Sequence, residues 1–297
     1  MNDRPMGLIQ RAAERLRQQQ QQLDAVLEPP PAAPAVNAET VTLRPPPPLS
    51  PAAAEGQRIS REVKIDRQRL AKSGITFTVT ERSRVAEEFR IIIRQILANA
   101  QSQTNTLAPR LIMITSARPR EGKTFTTINL ALAIASQKDF RVLAMDCDVE
   151  RQSLTSILGI EADTGLVDLL ENDKLDMREI LLRTDIANLS VLPAGRKRPG
   201  IPELLSSRRM RDVMMEMAQR YSDRYIIIDA PPCLATSDPS ILASLVGQIV
   251  FVVEANRTQE PEIEESLRLI STCPNISLVL NKTESTSSDH FGSYGYY

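Results

Sequence analysis

Six short runs of apolar residues lie in the second two-thirds of the chain, at 111–115, 142–145, 189–192, 225–229, 249–253 and 276–280. They are rich in Ile, Leu and Val and show no polar alternation, the pattern of strands buried on both faces. Stretches with helical spacing fall between them, near 125–136, 166–170, 177–182, 209–221, 239–245 and 262–271. Such alternation predicts right-handed βαβ units, hence an α/β fold with a mostly parallel sheet and helices on both faces. In sheets of this kind ligands settle beyond the carboxyl ends of the strands.

Upstream, residues 66–74 suggest a short helix stopped at Gly74. Residues 84–97 form an amphipathic pattern, with Val85, Phe89, Ile92 and Ile93 on one side and Glu87, Glu88, Arg90 and Arg94 supplying charge. That helix is expected to cover the edge of the sheet or to face a neighbouring subunit. Residues 6–27 carry Ile9, Leu16 and Leu23 at a spacing of seven, a thin stripe suited to a docking helix, a short coiled coil or a solvated helix. Nine of the chain's 20 prolines lie between positions 29 and 51, so this stretch reads as an extended linker. The expected organisation is an N-terminal helix (1–27), a Pro/Ala-rich linker (28–60), a folded domain (61–285) and a tyrosine-rich tail (286–297).

Composition narrows the picture by exclusion. The net charge of −1 gives no global field for nucleic acid. Three scattered cysteines and one histidine, His290, supply neither a disulfide framework nor a histidine metal cluster. The longest apolar candidate, 241–255, is interrupted by Ser244, Gly247, Gln248 and Glu254, so no transmembrane segment is expected. The first residues lack a signal-peptide pattern, and a cytoplasmic location is expected.

The chemistry sits at the ends of the apolar runs. The first is followed by SARPREGKTF and then a helical pattern, the order of a phosphate-binding loop. In the loop from Pro119 to Phe125, the backbone N–H groups of Arg120, Glu121, Gly122, Lys123, Thr124 and Phe125 would face phosphates at a helix start. Lys123 would reach the β- and γ-phosphates, and the Thr124 hydroxyl would ligate Mg²⁺. The motif asks for glycine at position 117, where this chain has Ala117. The second run ends in Asp146 and Asp148, and the fourth in Asp229 followed by Pro231 and Pro232. Carboxylates at those places hold Mg²⁺ or accept a proton from an attacking hydroxyl. Asn281 closes the last run, either as a reader of the adenine edge or as a turn residue. Tyr294, Tyr296 and Tyr297 crowd into a glycine- and serine-containing terminus, where acceptor chemistry or docking on a neighbour are the two readings.

Together SARPREGKT, MDCD, IIIDAPP and the tyrosine cluster resemble the bacterial tyrosine kinases (BY-kinases) of exopolysaccharide synthesis, P-loop NTPases related to MinD and ParA. GLIQRAAERL, VKIDRQRLAKSGI, EEFR and LPAGRKRPGIPELLSSRRM look like the autokinase subgroup associated with exosortase and PEP-CTERM systems. The resemblance implies ATP and Mg²⁺ as cofactors and Lys123, Asp146, Asp148 and Asp229 as catalytic residues. It also implies that Thr124, Asp146 and Asp229 bind the metal and that Tyr294, Tyr296 and Tyr297 accept phosphate. It implies a homo-oligomer, with Glu87, Arg90 and Arg94 at the interface, and a membrane chain-length or co-polymerase protein as activator. Three departures stand out: Arg94 lies one place later than the family's E-x-x-R-x-x-R spacing, Glu150 replaces the aspartate of D-x-R before Arg151, and Arg118 stands where MinD-type proteins carry lysine. The rival readings are a MinD/ParA-like positioning ATPase and a non-catalytic ATP-binding scaffold.

Overall fold

The computed structural model describes residues 61–75, 84–102, 108–220 and 224–283. The expectations for residues 6–27, 28–60 and 286–297 lie outside these residues. The first elements are β1 (Glu62–Val63), α1 (Arg67–Lys72) and α2 (Arg84–Ser102). Next come β2 (Leu111–Ser116), α3 (Lys123–Ala135), β3 (Arg141–Asp146), α4 (Ser153–Leu158), α5 (Leu166–Glu171) and α6 (Met177–Ile180). Then follow β4 (Leu182–Thr184), β5 (Leu189–Leu192), α7 (Ile201–Leu205), α8 (Arg208–Arg220) and β6 (Arg224–Asp229). The last are α9 (Asp238–Ala243), β7 (Gln248–Glu254), α10 (Glu260–Leu269) and β8 (Ile276–Asn281).

All eight strands join one sheet in the order β1-β4-β5-β3-β6-β2-β7-β8. The six strands from β5 to β8 in that order are mutually parallel and correspond to the six apolar runs. Alternate side chains divide between the two faces, as the period of a strand requires. Ile112, Ile114, Val142, Ala144, Val191, Ile227, Val250 and Val252 enter one core cluster with residues of α1, α2, α3 and α4. The intervening Met113, Leu143, Met145, Ile228 and Phe251 are at most 1% exposed, so the second face is covered as well.

The structure corrects the sequence reading in four places. β1 and β4 extend the sheet, and β4 runs antiparallel to β5, so the sheet is mixed at that edge. α4 and α7 are additional short helices. α2 packs on α3 and β7, and β7 is an internal strand, so the helix covers a face of the sheet and not its edge. Its buried stripe is Phe89, Ile93 and Ile96, whereas Val85 is 41% exposed. The Gln248 amide donates to the carbonyls of Ile96 (3.2 Å) and Pro109 (2.9 Å), tying the end of α2 to the start of β7.

Candidate active site

β2 runs out at Ser116, and the chain turns through six residues before α3 begins at Lys123. Gly122 caps that helix with φ +105°, a left-handed conformation that only glycine adopts without strain. A Cβ there would sit 1.9 Å from Asn281 Nδ2, so any other residue would also displace the Asn281 side chain. The other left-handed residue of the loop is Arg120, at φ 72°. Ala117 is not among the positive-φ residues, which explains why alanine is accepted in place of the motif's first glycine.

The loop is held from the ends of β7 and β8. Asn281 Nδ2 donates to the Glu121 carbonyl at 2.8 Å, and Lys282 Nζ donates to the Arg120 carbonyl at 2.7 Å. The buried Glu121 carboxylate accepts from the Arg118 N–H at 2.8 Å and from the Thr258 hydroxyl. Thr258 in turn accepts from the Glu254 N–H at 3.0 Å. Asn281, expected either to read a base or to make a turn, therefore anchors the loop. The Phe125 ring packs against Phe89, with ring centroids 6.1 Å apart and the planes tilted by 56°. Pro119 is half-buried, and the Arg118 side chain pairs with Glu262.

The four residues expected to be catalytic converge. Lys123 is 4% exposed, and its Nζ lies 2.6 Å from Asp148 Oδ2 and 3.6 Å from Asp229 Oδ1. The Thr124 hydroxyl donates to Asp229 Oδ2 at 2.8 Å. Asp146 and Asp229 are register partners on the adjacent strands β3 and β6. Asp146 Oδ1 accepts from the Asp148 N–H at 3.1 Å, while its buried Oδ2 has no hydrogen-bond partner. β3 ends at Asp146, so the chain's turn, rather than strand alternation, brings Asp148 onto the lysine.

Electrostatics follow from burial and charge imbalance. Desolvation alone would lower the Lys123 pKa, but Asp229 and Asp148 outweigh it and the net shift is upward. Burial, reinforced by Asp229, pushes the Asp146 carboxyl well above the usual carboxylate range. Burial also raises Asp229, against the opposing pull of Lys123 and of the Thr124 and Thr127 hydroxyls. Three carboxylates thus share one ammonium, and the surplus negative charge suits a divalent cation. Among the described residues no group of three carboxylate, thiol or imidazole side chains could hold a metal by itself. A hard cation here would need the Thr124 hydroxyl and phosphate oxygens as well, the usual way in which Mg²⁺ is bound. The orphaned Asp146 oxygen and the oxygen-only donor set fit that ion.

Two residues escaped the sequence reading. The Thr127 hydroxyl donates to Asp229 Oδ1 at 3.3 Å and to the Lys123 carbonyl at 3.0 Å. Its position one helical turn beyond Lys123 was the available signal. Asp238, at the start of α9, is 6% exposed and has an unpartnered Oδ1, and burial raises its carboxyl against the opposing pull of the Thr236 hydroxyl, with nearby acids including Asp148 adding to the rise. Other expected residues lie apart from this cluster. Glu87 pairs with Arg90 on the outer side of α2, and Arg94 is exposed on the same helix. Lys197 reaches Glu150 at 3.5 Å. Tyr294, Tyr296 and Tyr297 fall outside the described residues. No helix among the described residues is long and apolar enough to cross a membrane.

Known proteins agree with this geometry. An AAA domain family model matches residues 109–278, which include the loop and all three aspartates. The chain is 32% identical over 193 residues to tyrosine-protein kinase CpsD of Streptococcus agalactiae, covering 63% of this chain and 81% of that one. It is 29% identical over 204 residues to tyrosine-protein kinase YwqD of Bacillus subtilis, covering 68% and 84%. Other matched tyrosine-protein kinases are much longer, and the chain spans 25% of one and 27% of another. The kinase domain of Escherichia coli tyrosine kinase ETK superposes with a TM-score of 0.63 at 26% identity, covering 80% of this chain and 94% of that domain. A phosphate loop facing paired strand-end carboxylates, in a sequence that aligns along most of the shorter kinases, places the chain in the family of bacterial tyrosine-protein kinases, built on a P-loop AAA-type domain.

Proposed function

We propose that the protein is an ATP- and Mg²⁺-dependent autokinase that phosphorylates Tyr294, Tyr296 and Tyr297, with transfer between subunits. The observation that carries this reading is the buried Lys123–Asp148–Asp229–Thr124 cluster at the head of α3. Lys123 binds the β- and γ-phosphates, and the N–H groups of the loop from Arg120 to Phe125 cradle them. Thr124, Asp146 and Asp229 supply oxygen donors for Mg²⁺, which when bound neutralises the carboxylates and the charge developing on the phosphate oxygens. Asp146, with Oδ2 unpartnered and its proton affinity raised by burial, orients the incoming phenol and takes its proton. The phenol oxygen bonds to the γ-phosphorus as the bond to the β–γ bridging oxygen breaks, and ADP leaves. Asp148 holds Lys123 until phosphate displaces it.

The same reading supplies the setting. The chain acts at the inner face of a membrane through a chain-length or co-polymerase partner, in polysaccharide assembly. It forms a homo-oligomer through the outer side of α2, where Glu87, Arg94 and Ile91 are exposed. Each phosphate adds roughly −1.5 to −2 charge to a tail, and several together loosen that assembly.

Mass spectrometry of the C-terminal peptide after incubation with Mg-ATP tests the activity. Phosphotyrosine in the wild type and none in Lys123→Met is the expected result. Free phosphate with an unmodified tail would instead identify a positioning ATPase, and nucleotide binding with neither free phosphate nor phosphotyrosine would identify a non-catalytic ATP-binding scaffold.

A further inference from the structure

The last residue of β8 and the residue after it hold two successive carbonyls of the phosphate loop. Asn281 Nδ2 donates to the Glu121 carbonyl at 2.8 Å, and Lys282 Nζ donates to the Arg120 carbonyl at 2.7 Å. β7 and β8 pair in parallel as far as Glu254 and Asn281, so the end of β7 lies beside these two donors. Glu254 Oε1 lies 3.2 Å from Lys282 Nζ, and Arg257 Nη1 shares the same oxygen at 3.4 Å. One carboxylate thus answers two cations, and Lys282 keeps part of its positive charge for the loop.

The peptide plane carries the effect to the other side of the loop. In a trans peptide the carbonyl and the N–H of the following residue point in opposite directions. None of the described peptide bonds is cis. Capture of the Arg120 carbonyl therefore aims the Glu121 N–H away from the end of β8. Capture of the Glu121 carbonyl does the same for the Gly122 N–H. Among the described residues neither N–H bonds to another group. Successive N–H groups turned out of a loop in this way make an anion-binding concavity. Arg120 adopts φ 72°, a left-handed conformation that a long side chain rarely takes, so the loop needs an outside anchor to keep this shape. A carbonyl that accepts from an ammonium also polarises its peptide group, which makes the N–H on the far side a stronger donor.

We propose that Asn281 and Lys282 are positioning residues for phosphate binding: they turn the Glu121 and Gly122 N–H groups toward the nucleotide phosphates, and Lys282 lends those groups charge through the peptide. The proposal rests on the reading of the loop as a nucleotide site. It gives Asn281 a role on the phosphate side of the nucleotide, independent of the base.

The test is titration of the full chain with Mg-ADP by calorimetry and with Mg-pyrophosphate by competition against it. Lys282→Met should weaken Mg-ADP by at least about tenfold, the loss of one charge-assisted hydrogen bond. Lys282→Arg, which can still donate to the carbonyl and pair with Glu254, should stay within about threefold of the wild type, with Lys282→Gln between the two. Asn281→Ala should weaken Mg-ADP and Mg-pyrophosphate by the same factor. Lys282 is half-exposed, so its variants should fold, and the melting temperature of the nucleotide-free protein checks this. Unchanged Mg-ADP affinity in Lys282→Met overturns the proposal, as does an equal loss in Lys282→Arg. A loss for Mg-ADP with Mg-pyrophosphate unchanged in Asn281→Ala also overturns it, since Asn281 would then read the base. A wild-type chain that binds no Mg-ADP removes the nucleotide reading and this proposal together, whereas binding that no substitution affects removes this proposal alone.

Discussion

Gly122 joins two constraints that are usually met separately: a left-handed backbone at the helix start and a contact with a side chain 159 positions away. Gly122→Ala is expected to displace Asn281, disorder the loop and weaken ATP binding by at least about tenfold, measured by calorimetry. Asn281→Gly in the same chain should restore part of the affinity, because it relieves the collision but not the backbone strain. Asp146 shows the opposite balance. Its buried charge opposes folding, so Asp146→Asn should raise the melting temperature of the nucleotide-free protein by a few degrees. The same change should cut tyrosine phosphorylation by ~10²-fold or more. The Cys233 and Cys273 thiols are each pushed up by burial to about 11. A folded-state pKa raised above the unfolded value gives stability that is intact below about pH 9 and lost as pH rises towards 11. Chemical denaturation should therefore show the fold losing roughly 2–3 kcal/mol per thiol between those limits. A Cys233→Ala, Cys273→Ala chain should show a flatter profile.

At the scale of the element, uniform apolar runs were easier to read than helix faces. A strand buried on both sides needs apolar residues throughout, and all six such runs became strands, although β8 lies at the sheet edge and is half-exposed, with Leu280 at 44%. β1 and β4 went unrecognised because EV and LRT are too short and too polar to stand out, and a strand near the sheet edge tolerates that. α7 went unrecognised although Pro202 near its start is a helix-initiating signal. On α2 the apolar spacing permitted two stripes, and contact with α3 selected Phe89, Ile93 and Ile96. Phe89→Ala should cost ~3–5 kcal/mol in equilibrium unfolding and weaken ATP binding through Phe125. Ile91 is 52% exposed, and Ile91→Ser should change the stability of the monomer by less than ~0.5 kcal/mol. If the outer side of α2 is the subunit interface, the same substitution should shift the protein towards monomer in light scattering.

At the scale of the molecule, the sheet order turns residues far apart in sequence into neighbours. β6 enters between β2 and β3, and this places Asp229 beside both Asp146 and the Lys123 loop. The motif residues were legible one by one because each marks the end of an apolar run. The composition of those runs and the Gly-Lys-Thr turn were enough to determine an α/β sheet, a phosphate loop and the acids that face it. Only the tertiary structure decided that Asn281, Thr258 and Lys282 hold that loop and that one ammonium serves three carboxylates. Hydrophobic periodicity reports which side of its own element a residue occupies. It carries no information on which distant element will pack there, and these pairings depend on strand order and on where each turn delivers its side chain.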